Sequence, residues 1–63
     1  MNMKYDVRFI VCGTDTVYDM KVFIPPMEGD MVILYKSKYK VIGRTFNFDN
    51  GKITIYIENY GNY

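Results

Sequence analysis

The chain has 63 residues, a net charge of +1, a single cysteine and no histidine. That length allows one domain, a lone cysteine excludes an internal disulfide, and a zinc site lacks its usual ligands. A chain this short buries only about 60% of the surface its unfolded form exposes, so aromatic and aliphatic packing has to supply its stability.

Periodicity of two predicts five strands, near residues 3–12, 17–24, 31–35, 39–48 and 53–59, with no helix longer than one turn. In the first, Tyr5, Val7, Phe9 and Val11 alternate with Lys4, Asp6 and Arg8. The turn cluster "GTDT" (13–16) leads to the second strand, where Tyr18, Met20, Val22 and Ile24 alternate with Asp19 and Lys21, so the pair reads as a hairpin. Pro25 and Pro26 end it, because neither can donate to a ladder. Met31 to Tyr35 is continuously apolar, which predicts a strand covered on both faces.

The fourth strand follows the "KSK" loop (36–38) and changes phase: Tyr39 and Val41 are odd-numbered, Ile42, Phe46 and Phe48 even-numbered. A bulge at Gly43 would let both sets face one core. "DNGK" (49–52) carries Asn50-Gly51, which predicts a type I′ hairpin turn with both residues at positive φ. Ile53, Ile55 and Ile57 then alternate with Thr54, Tyr56 and Glu58, and residues 59–63 read as a short tail.

The expected fold is all-β, a five-stranded antiparallel small barrel or curled sheet filling residues 1–63. "EGDMVIL" (28–34) resembles the diverging turn and following strand of SH3-like barrels, and the "DNG" turn falls where their distal hairpin would be. The whole chain also resembles small uncharacterised proteins of bacteriophages and other mobile elements with a Pro-x-x-Gly-Asp-x-Val core and a Tyr-x-Val strand. Those positions are Pro26, Gly29, Asp30, Val32, Tyr39 and Val41 here. The resemblance implies an accessory protein that binds and modulates a host protein or nucleoprotein complex, an anti-defence inhibitor being one such role. The paired tryptophan and the ALYDY-type run of signalling SH3 domains are missing, so proline-peptide binding is not implied.

Chemistry-bearing residues are few. Histidine, the commonest general base at neutral pH, is absent. Cys12 has no histidine to activate it and reads as a packed or turn-adjacent thiol. Glu28 and Asp30 are the closest carboxylates, but a Gly-Asp turn explains Asp30, whose oxygens accept local N–H bonds. The expectation is therefore no enzyme, no cofactor and no metal. A lone cysteine suits a reducing compartment. "MNMKYDVRFIVC" has no signal-peptide apolar region, and no apolar run approaches the roughly 18 residues that span a membrane. These features predict a cytosolic protein.

Two surfaces are candidates for binding. Ile10, Phe23 and Tyr56 fall opposite the expected core positions, and Met27 borders the acidic turn; gathered into one patch they would dock a protein or a second copy, the latter making the chain a structural homo-oligomeric subunit. Residues 1–30 hold three basic and five acidic side chains, whereas residues 31–63 hold five basic and two acidic. Lys36, Lys38, Lys40, Arg44 and Lys52, interleaved with Tyr35, Tyr39 and Phe46, are the alternative: a single-stranded nucleic acid surface centred on Lys36–Arg44, where cations track phosphates and rings stack on bases. Against that, alternation puts the lysines where they guard a sheet edge, and Tyr39 also fits the core with its hydroxyl at the rim.

Overall fold

The structure, a computed structural model, describes residues 4–62, so Met3 of the first expected strand and Tyr63 of the expected tail lie outside it. Five strands follow one another as β1 (Tyr5–Val11), β2 (Val17–Val22), β3 (Met31–Leu34), β4 (Ser37–Asn47) and β5 (Lys52–Asn62), and the described residues contain no helix. They form a single sheet in the order β2-β1-β5-β4-β3, curled into a half-barrel.

Period-two alternation sorts the side chains. Val7, Phe9 and Val11 of β1, Tyr39 and Val41 of β4, and Ile53, Ile55 and Ile57 of β5 are buried on the concave face. Tyr18, Met20 and Val22 of β2 and Val32 and Leu34 of β3 pack against them from the two edges. The convex face of the β1–β2 hairpin carries charge in register: Arg8 opposite Asp19 and Asp6 opposite Lys21. Arg8 donates to both Asp19 oxygens, at 2.7 and 3.0 Å, and Lys21 donates to Asp6 at 2.8 Å. Lys21 therefore holds the Asp6 carboxyl below its ordinary value, and Arg8 does the same to Asp19.

The expectation of an antiparallel sheet is corrected at its centre. β5 lies between β1 and β4, antiparallel to β4 but parallel to β1, from Asp6 opposite Lys52 to Val11 opposite Ile57. The isoleucine row of β5 is thus flanked on both sides by apolar rows, which is why Ile55 and Ile57 are fully buried.

The phase change in β4 is a bulge. Register slips between Val41 and Gly43, so Ile42 is extra and lies exposed outside the core it was expected to join, and the concave face passes from Tyr39 and Val41 to Arg44 and Phe46. A second slip leaves Tyr60 of β5 unpaired between Asn59 and Gly61. Bulges increase local twist, and two in one strand pair help curl the sheet. Residues 59–62, read as a tail, instead extend β5: Lys38 faces Gly61 and Ser37 faces Asn62.

Other local expectations change. Asn50-Gly51 is not a type I′ turn: Gly51 has φ +72° but Asn50 does not have positive φ, and a four-residue loop closes with Gly51 N–H donating to the Asn47 carbonyl at 2.9 Å. Two consecutive positive φ values occur at Tyr35 (48°) and Lys36 (69°), the two-residue loop between Leu34 and Ser37. β3 is not covered on both faces. It is a four-residue edge strand, so Met31 and Ile33 project from the convex side, 40% and 49% exposed. Ile24 and Phe48 lie beyond their strands and outside the core.

Candidate functional site

The expected docking patch divides in two. Ile10 and Tyr56 are cross-strand neighbours on the convex face, with Val17 of β2 opposite Ile10 and Gly43 of β4 opposite Tyr56. The Tyr56 ring lies over Gly43, 3.9 Å from where a Cβ would stand. Both Ile10 and Tyr56 are half-buried in the sheet surface. Phe23 lies at the opposite end of β2, just past its last residue Val22 and six residues beyond Val17. Two charged rows separate them, Arg8–Asp19 and Asp6–Lys21. Phe23 is exposed there, with the Lys4 ammonium 4.9 Å from its ring centroid. Met27 sits in the β2–β3 loop, its N–H donating to Asp30 Oδ2 at 2.8 Å. That bond is the local role anticipated for Asp30.

The basic set is also divided. Lys38 and Lys40 stand opposite Ile33 and Met31 across the β3–β4 ladder, on the convex face, and Lys36 is in the adjoining turn. Tyr39 is 6% exposed, so its ring is spent in the core and offers no face to a base. Arg44 is turned to the concave face by the bulge, opposite Ile55. The tight Lys-Tyr-Lys-Arg surface expected from the spacing is therefore not assembled: the bulge at Ile42 sends Arg44 to the other side.

Arg44 instead stays with Phe46 and Lys52 of the same basic and aromatic half, and they are joined by Tyr5 and Phe48, which spacing alone did not single out. Its guanidinium lies 4.9 Å from the Phe46 ring centroid, and Nη1 makes a long 3.5 Å bond to the Pro26 carbonyl. Phe46 and Phe48 are stacked, with centroids 6.4 Å apart and planes 9° from parallel. Tyr5, Phe46, Phe48 and Lys52 line a shallow cleft of about 270 Å³ floored by Ile53. Tyr5 is 48% exposed, Phe46 45% and Phe48 93%. The cause is positional. β4 ends at Asn47, so Phe48 enters the turn with no ladder neighbour to bury it. The signal was available: an aromatic pair two residues apart, immediately before a turn, must leave its second ring at the sheet's end.

Cys12 lies in the β1–β2 turn as an exposed free thiol, its N–H donating to the Ile57 carbonyl at 2.8 Å. No helix among the described residues is long and apolar enough to cross a membrane. No protein-family model, curated protein or solved structure matches the chain.

Proposed function

We propose that this chain is a non-enzymatic interaction protein that docks a protein partner on the aromatic ledge of Tyr5, Phe46 and Phe48. The observation that carries the reading is the exposure of three neighbouring rings around one apolar cleft, with Phe48 93% exposed. Exposure favours this ledge over the Ile10–Tyr56 row. A phenylalanine that goes from open solvent to an interface buries on the order of 150 Å², about 4 kcal/mol before ordering costs. Tyr56 has already buried much of its ring against Gly43 and its strand neighbours. The class of partner, a host protein or nucleoprotein complex, rests on the resemblance to small bacteriophage proteins.

The test is capture of a partner from cells, followed by the same measurement with Phe48→Glu. Loss of a well-packed aromatic anchor costs about 2 kcal/mol or more, roughly thirtyfold in affinity, while the unfolding midpoint stays where it was. Unchanged capture by Phe48→Glu would remove the ledge from consideration.

A second reading has its own observation: Arg44 and Lys52 border two nearly parallel exposed rings, the arrangement that holds a single strand by stacking and charge. That reading predicts oligonucleotide binding that weakens steeply as salt rises, because phosphate contacts release counterions. It also predicts that Arg44→Glu is as damaging as Phe48→Glu.

A further inference from the structure

We propose that two copies of this chain pair antiparallel along their β3 edges, joining two five-stranded sheets into one across a twofold axis at Val32. The sheet has two edges, β2 and β3, and they differ in kind. On β2 the outward positions Asp19 and Lys21 are charged and ion-paired to β1, which is how natural sheets discourage strand addition. On β3 the sequence is Met-Val-Ile-Leu, with no charge, proline or bulge. Such an edge is a template for another strand.

Backbone direction sets the register. Asp30 C=O accepts from Val41 N–H at 2.8 Å, so it points toward β4. Alternation along an antiparallel ladder then directs Val32 and Leu34 to β4, and turns the N–H and C=O of Met31 and Ile33 off the sheet. A second β3 reaches those groups with Met31 opposite Ile33 of the other copy and Val32 opposite itself. Concave residues then stay concave in both copies, as a twofold normal to the sheet requires. About four main-chain hydrogen bonds form, and the exposed Met31 and Ile33 side chains of each copy cover those of the other.

Charge identifies the occupant as a second copy. β3 is preceded by the acidic Glu28–Asp30 turn and followed by Lys36. Antiparallel pairing in this register carries Glu28 of each copy toward Lys36 of the other, at both ends of the ladder. Parallel pairing would set acid on acid and base on base. The edge is complementary to itself in one orientation.

Sedimentation velocity over about 1 μM to 1 mM reads the equilibrium, since an interface this small gives a reversible dimer in that range. The wild-type chain is expected to shift from monomer to dimer. Glu28→Lys and Lys36→Glu should each weaken the dimer about tenfold, because each reversal acts twice across the axis. An equimolar mixture of these two variants should recover wild-type association, since every charge again meets its opposite. In a Cys12→Ser background, Val32→Cys should form an intermolecular disulfide on oxidation, because facing residues at a non-bonded pair lie about 4.5 Å apart at Cα. A monomer throughout the range overturns the proposal. So does a dimer that neither single reversal weakens, or one whose mixed variants fail to recover.

Discussion

The ring of Tyr18 on β2 lies 4.9 Å from the ring of Tyr35 in the β3–β4 turn, with the planes tilted by 35°. β2 and β3 are the two sheet edges and share no ladder, so side chains rather than hydrogen bonds draw them together here. Burial pushes the Tyr18 phenol above its ordinary value, and the phenols of Tyr39 and Tyr35 add to the shift. The turn holds Tyr35 at a cost, since it and Lys36 both occupy the left-handed region.

Glycine separates the cost of that turn from its benefit. Lys36→Gly relieves a left-handed residue that has no packing role, and should raise stability by about 1 kcal/mol. Tyr35→Gly relieves the same strain but deletes the Tyr18 contact, and should be neutral or destabilising. Urea denaturation of both variants makes the comparison; equal gains would mean that the tyrosine pair contributes nothing.

At Gly51, with φ +72°, a β-branched residue is an outlier, and nothing within 4 Å would crowd its Cβ. Gly51→Val should therefore cost about 1–2 kcal/mol from backbone strain alone. Gly43 is the control. It lacks positive φ, and an added Cβ would make ordinary contact with Tyr56, so Gly43→Ala should be tolerated. Chemical denaturation of the pair checks the assignment of the two glycines.

Ile55 is fully buried at the centre of the sheet, whereas Ile33 is 49% exposed on the β3 edge. Truncating a buried isoleucine costs about 2–5 kcal/mol, enough to unfold much of a chain this small. Ile55→Ala should broaden or abolish the thermal transition, and Ile33→Ala should shift it little when measured at low concentration. Comparable losses at the two sites would mean that Ile33 is also buried in solution.

Acid should weaken the β1–β2 hairpin. Asp6 and Asp19 have folded values below the ordinary 3.8, so the folded state binds protons less readily than the unfolded chain. Their contribution is present above about pH 4 and is lost as pH falls through the folded values. Both pairs are solvent-exposed, and the effect should shrink in high salt. The unfolding midpoint should be flat from pH 7 to about 5 and fall below about 4, less steeply in Asp19→Asn. A midpoint that does not fall in acid would leave the two ion pairs without a role in stability.

Strand identity was legible from alternation because a half-buried strand must present apolar residues at every second position. Tyr5 to Val11 and Ile53 to Ile57 needed nothing more. The bulge beside Gly43 was legible for the same reason, since a phase change within one apolar pattern has to be absorbed somewhere. Asp30 and its turn were local, and local chemistry reads directly from sequence.

Tertiary structure decided what a period of two does not encode: which strand lies beside which, and in what direction. Alternation is identical for parallel and antiparallel neighbours, so the insertion of β5 between β1 and β4 could not be read from Ile53, Ile55 and Ile57 alone. The same is true of edges. Met31 to Leu34 has the composition of a central strand, and only its place at the end of the order β2-β1-β5-β4-β3 leaves it exposed. The Tyr5–Phe46–Phe48 ledge follows from both, because the bulge sets the face and the end of the ladder sets the exposure. Local pattern specifies how each strand is divided between core and solvent, but neighbours are chosen by the pooled burial of all five strands.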